Sequence, residues 1–160
     1  MKSLFILQLV CCVITAMLAL QLAMASLQVR WKVWRYEISR WILVASMLFF
    51  SVHYLLQMIH GLRAQGADVG AAFNILFYTP VAFAITLSII NIESTGNKVR
   101  RYCLRGMMAY ILIAIVFVIG MFKSQSLHIG NMLYVMLGLF VASMAYFILI
   151  IRKETKARKQ

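Results

Sequence analysis

Four acidic side chains and one proline are all that this 160-residue chain contains of either kind. The shortage of acid restricts the chemistry first. Glu37, Asp68, Glu93 and Glu154 fall in connections or at the ends of apolar runs, so no carboxylate is expected inside a membrane helix. Coupled transporters build proton relays and cation sites on such carboxylates, and that mechanism lacks its principal group here. Paired-carboxylate acid–base catalysis and the HExxH zinc pattern are excluded with it. GxSxG, Walker A and GxGxxG are also missing. The expectation is a chain with no catalysis of its own and no cofactor. One proline and eight glycines exclude a long flexible linker, and no solenoid-length repeat is present. Of the three cysteines, Cys11 and Cys12 are vicinal within an apolar run, not CxxC, and read as small inert residues. Cys103 sits among basic residues and reads as a reduced thiol.

What is abundant is hydrocarbon. Hydrophobic residues make up 64% of the chain, charged residues 12%, and mean hydropathy is +0.89. That composition belongs to an integral membrane protein. Five apolar runs, 4–28, 41–62, 71–92, 106–122 and 131–151, each approach the roughly 20 residues needed to cross the hydrocarbon. None alternates with period two, so they read as helices. The intervening segments are short, which makes successive helices antiparallel. The fold class expected is an all-α, up-down bundle of five transmembrane helices forming one membrane domain over residues 1–160.

Sixteen Lys and Arg against four acids give a formal charge of +12. Their placement argues for lipid and against nucleic acid. Counted from the N-terminus through each connection to the tail, basic residues number one, four, one, four, one and five, which accounts for all 16. By the positive-inside rule the N-terminus and the 63–70 and 123–130 loops face outward, and the basic tail 152–160 is cytoplasmic. Arg30, Lys32, Arg35, Arg40, Arg100, Arg101, Arg152 and Lys153 are then placed to meet anionic headgroups of a bacterial cytoplasmic (inner) membrane. Ala23-Met24-Ala25 resembles a signal-peptidase site, but cleavage would invert all three basic clusters, so the first run is kept as a span. Residues 30–40, with Trp31, Trp34, Ile38 and Trp41 on one side, read as an interfacial amphipathic segment or an aromatic belt with snorkelling bases.

The second run carries unusual polarity. At 100° per residue, Ser46, His53, Gln57 and His60 fall within roughly 60° of one another. A face that polar is expected to look into the bundle, because unsatisfied polar groups in lipid are costly. Asn74, Tyr78 and Ser88 form a facing stripe in the third run, where Pro80 removes a backbone hydrogen bond and Thr79 is placed to help resolve the break. Gln8, Cys11, Cys12 and Thr15 cluster on one side of the first run. These groups serve either as interhelical glue or as a functional site. His60, Asp68 and His128 all fall on the outer side and form a candidate metal or pH site, without the tight spacing of a strong metal motif. Haem is disfavoured because His53 has no histidine on a second helix at matching depth. Gly138-xxx-Ala142 in the last run fits close helix packing.

The stretch HYLLQMIHGLRAQGADVGAAFNILFYTPVAF, residues 53–83, resembles the membrane region of multi-pass bacterial sensor-regulators, where a helix bundle precedes a histidine-kinase or helix-turn-helix output module. The turn at 63–70 and the Asn74/Tyr78/Pro80 pattern carry the likeness, over about a fifth of the chain. Nothing after Ile151 reads as a phosphoacceptor helix, a nucleotide-binding motif or a DNA-reading helix. The resemblance therefore implies a sensory or regulatory bundle working through a separate membrane or signalling partner. The alternatives are a small transporter or channel subunit, or a structural subunit of a membrane complex.

Overall fold

Apolar runs of this length, free of breakers and unable to hydrogen-bond to lipid, satisfy their backbones by forming helices. The structure is a computed structural model that describes residues 2–25, 33–93 and 96–158. It contains α1 (Lys2–Met24), α2 (Val33–His60), the single turn α3 (Leu62–Gln65), α4 (Ala67–Glu93), α5 (Gly96–Ser124) and α6 (Met132–Arg158). The five long helices are each long and apolar enough to cross a membrane. Among the described residues there is no strand.

The helices overrun the apolar runs. Residues 33–40 belong to α2 and run on into the second apolar run without a break, because nothing between Val33 and Trp41 breaks a helix. Trp34 and Trp41 are exposed on that extension. Arg30, Trp31 and Lys32 lie outside the described residues. The same continuity carries α6 through the basic segment to Arg158. Gly61, with φ 56°, supplies the left-handed residue that ends α2.

Pairing across the seams fixes direction. From α1 to α2, Cys12 meets Ser51 and Gln8 meets Gln57, so partner numbers rise as residue numbers fall. From α2 to α4, Ser39 meets Ser88 and His53 meets Asn74. Phe73 packs on Phe117 of α5, and Tyr102 of α5 reaches Glu154 of α6. Each pair is antiparallel, and Asp68 with His128 at one end and Phe83 on Phe147 toward the other show α4 and α6 parallel.

Among the described residues the bundle is open and not a closed ring, with α2 and then α1 extending from a cluster of α4, α5 and α6. Helix α4 packs on α2, α5 and α6, whereas among the described residues α1 packs on α2 alone. The apolar core lies between α4, α5 and α6, around Ala72, Ile75, Ile113, Phe117, Ile129 and Met136. Gly106 allows α5 to approach the ring of Phe83, where a Cβ has no room. The small pair Gly138 and Ala142 does not serve helix packing within the chain. A Cβ on Gly138 meets nothing within 4 Å, and Ala142 is exposed.

Antiparallel order collects the described side chains of Arg35, Arg40, Lys98, Arg100, Arg101, Arg105, Arg152, Lys153 and Lys156 at one end of the bundle. The opposite end has Lys123 alone among the described basic side chains. At the basic end the expectation about carboxylates fails. Glu154 stands within α6 with its side chain only 6% exposed, accepting from the Tyr102 hydroxyl at 2.9 Å and lying 3.6 Å from Lys98 Nζ. It follows the apolar run in sequence, but the helical extension carries it under α5.

Candidate functional site

Helix α1 shows most of its apolar surface outward. In lipid no hydrophobic force drives it onto α2, so polar contacts and close packing must hold it. Two contacts do so. The Cys12 thiol and Ser51 hydroxyl lie 3.3 Å apart, with Ser51 also donating to the Cys12 carbonyl at 3.1 Å. Gln8 Nε2 donates to Gln57 Oε1 at 3.1 Å.

Gln57 is the hub of a tie joining three helices. Its Nε2 donates to Asn74 Oδ1 on α4 at 2.8 Å and lies 3.1 Å from His53 Nε2, one turn below on α2. Asn74 Oδ1 is also 3.1 Å from the same His53 nitrogen. Gln8, His53 and Gln57 are buried. The His53 ring stacks on Phe77 with centroids 4.4 Å apart and meets Tyr54 and Tyr78 at its edges.

This triangle has a chemical consequence. One imidazole nitrogen faces a donor, the Gln57 amide, and an acceptor, the Asn74 carbonyl oxygen. When Nε2 carries hydrogen it donates to Asn74 and ties α2 to α4. When Nε2 is bare it accepts from Gln57, and that bond stays within α2. The location of one proton therefore selects the partner of His53, while Gln57 holds Asn74 across the seam in either case.

The other residues of the stripe have different fates. Ser46 is buried but donates to the carbonyl of Ile42 in its own helix at 2.7 Å. Tyr78 joins the aromatic wall and lies 3.5 Å from the Tyr54 hydroxyl, outside the amide tie. His60 is exposed and takes no part. Thr79 donates to the Ile75 carbonyl at 2.7 Å, one residue before the carbonyl of Leu76 that Pro80 cannot bond. Beside this break a groove of about 300 Å³ runs between Ile42, Ser46 and Phe49 of α2 and Pro80, Val81 and Ala84 of α4.

A second tie closes the same seam toward the basic end. Ser39 Oγ donates to the Ser88 carbonyl at 3.0 Å, and Ser88 Oγ approaches the Ser39 carbonyl at 3.3 Å. Asn91 Nδ2 donates to Ser39 Oγ and to the Arg35 carbonyl, each at 3.0 Å. Ser39 and Asn91 were not anticipated, because the segment containing Ser39 reads as interfacial until α2 is seen to include it. Arg40 is likewise drawn away from headgroups. It pairs with Glu37 at 2.6 Å and donates to the carbonyl of Ala25 at the end of α1.

At the opposite end the structure brings together two of the three proposed outer residues. His128 Nδ1 lies 2.8 Å from Asp68 Oδ2, joining the start of α4 to the α5–α6 loop. Gly66 makes room for this pair, since a Cβ there would fall 2.9 Å from His128 Cε1. His60 is not part of it, and among the described residues no group of three His, Cys, Asp or Glu is placed to hold a metal. Compared with protein-family models, with curated proteins and with solved structures, the chain gives no match.

Proposed function

We propose that this chain is a sensory or regulatory membrane bundle without catalysis of its own. Its N-terminus faces outward and its C-terminus the cytoplasm of a bacterial cell, in the cytoplasmic membrane. The α2–α4 seam links a change near its outer half to the basic inner end, where anionic headgroups and a separate membrane or signalling partner are met. Nucleic acid has no part in this reading. The charge distribution supports the orientation, because the basic end is the one the positive-inside rule assigns to the cytoplasm.

The observation that carries the reading is the His53 triangle. A tie that only glued helices needs no group whose bond partner changes with one proton. The seam also holds a device for passing a change along. Pro80 interrupts α4 between the outer tie at Asn74 and the inner tie at Ser88 and Asn91. Losing the His53 bond leaves Asn74 held by Gln57 alone, and this loosened tie is passed through Pro80 to the inner half of α4. A transporter path is less well supported, since the polar groups at the seam bond to one another.

Trp34 and Trp41 lie in the first turns of α2, Trp31 precedes them closely in sequence, and Trp41 is about 18 Å of helix from His53. Their fluorescence reports on the inner end alone. In proteoliposomes taken from about pH 8 to about pH 5, the wild type should change its emission. His53→Gln, which keeps a donor and an acceptor, should abolish the change, and Pro80→Ala should reduce it. Superimposable curves for wild type and His53→Gln would refute the switch and leave helix packing as the role of this site.

A further inference from the structure

The end opposite the basic cluster carries a cleft that the seam does not use. It is lined by Gly120, Lys123, His128, Gly130 and Asn131, among others, and encloses about 260 Å³. Three of its lining residues, Lys123, His128 and Asn131, are exposed, and among the described residues the Lys123 ammonium, the Asn131 carboxamide and His128 Nε2 have no hydrogen-bond or ion-pair partner. Ser124 also lines the cleft, but its hydroxyl is spent on the Ser126 carbonyl at 2.9 Å.

The histidine in this wall is held in place. Asp68 takes its Nδ1 at 2.8 Å, and the missing side chain of Gly66 leaves space for the ring. Gly130 has φ +53° with open space around it, so glycine is there for the turn and leaves the cleft mouth clear. A lysine in the last turn of a helix has a sufficient explanation in the helix dipole. That explanation does not account for a cleft in which two further unpartnered polar groups join it.

We infer that this cleft binds a small organic anion, a molecule bearing a carboxylate or phosphate. Lys123 supplies the charge, the Asn131 amide a neutral donor, and His128 a ring fixed by Asp68 whose second nitrogen has no protein partner. The volume suits a compound of roughly a dozen non-hydrogen atoms, at the small end of ligand sites. The inference supplies a ligand class for the sensory reading and rests on it for its purpose, though binding is measurable without it.

The test is calorimetric titration of the full chain in nanodiscs with succinate and, separately, inorganic phosphate. Salt is kept near 0.15 M to screen diffuse attraction to a chain of this charge. Saturable binding of either anion is expected, weakened about tenfold or more by Lys123→Gln, as for loss of a charge-assisted hydrogen bond. Asn131→Ala should weaken it less, and Lys98→Gln, at the other end of the bundle, should leave it unchanged. Absence of saturable binding for both anions overturns the inference, as does binding indifferent to Lys123→Gln. The two readings fail separately. Binding without any change in tryptophan emission removes the sensory role and keeps the site, whereas a pH response at Trp41 without binding removes the site alone.

Discussion

Replacing Gln57 with leucine is the sharpest test of how α1 and α4 are held to α2. The substitution nearly conserves volume, so packing is little changed while three polar contacts disappear, at 3.1 Å to Gln8, 2.8 Å to Asn74 and 3.1 Å to His53. Side-chain hydrogen bonds between membrane helices average about 0.6 kcal/mol, so three should cost roughly 2 kcal/mol. Gln8→Leu removes one of them and should cost roughly a third as much. The double variant isolates the Gln8–Gln57 bond. Its coupling energy should fall between about 0.6 and 1.7 kcal/mol, with the double variant less destabilised than the two single changes added together. Equilibrium unfolding in mixed detergent micelles measures all four proteins on one scale. If Gln57→Leu were as stable as wild type, or the two substitutions simply added, the Gln8–Gln57 tie would contribute nothing and α1 would be held by packing and by its Cys12–Ser51 contacts.

Two further substitutions test other joints. Gly106→Ala places a methyl against the Phe83 ring and should cost about 1–3 kcal/mol by overpacking; Phe83→Leu in the same chain should recover part of it in thermal melts, and failure to recover would mean the α4–α5 approach is not as close as described. Glu154→Gln keeps an acceptor for Tyr102 and loses the charge that faces exposed Lys98 at 3.6 Å, so it should cost less than 1 kcal/mol, whereas Glu154→Leu strands the Tyr102 hydroxyl and should cost about 1–3 kcal/mol. Equal losses in those two variants would contradict the burial of this carboxylate.

The five helices and the inward face of α2 were legible because both follow from local pattern. Run length selects a membrane helix, and the spacing of Ser46, His53 and Gln57 places them on one side whatever the neighbours are. Asn74 was legible for the same reason, as the start of a polar stripe on the next long helix. Choice of partner was not legible from periodicity. Ser46 bonds back to Ile42 within its own helix, an option open to any helical serine, so its membership of the stripe says nothing of a neighbour. The inner tie was hidden because hydropathy marks an apolar run and not where a helix begins; α2 and α6 continue past their apolar runs, and Ser39 and Glu154 ride on those extensions. The pairing of Asp68 with His128, 60 residues apart, depends on the openness of Gly66, which no spacing rule encodes. The open arrangement was hidden as well, since short connections require antiparallel neighbours but not a closed ring.

The central claim is that the outer tie at Asn74 and the inner tie at Ser88 and Asn91 belong to one seam, about 27 Å of helix separating Asn74 from Ile92. Spin labels at Ile38→Cys and Ile92→Cys, both exposed positions at the inner end, measure that seam directly when Cys11, Cys12 and Cys103 are changed to serine. The measurement is the electron–electron distance distribution in nanodiscs, with and without Asn74→Ala. The account predicts that removing the Asn74 amide shifts or broadens the distribution at the inner end, and that Pro80→Ala suppresses this effect. Identical distributions with and without Asn74 would contradict it, because the inner end would then be indifferent to the outer tie.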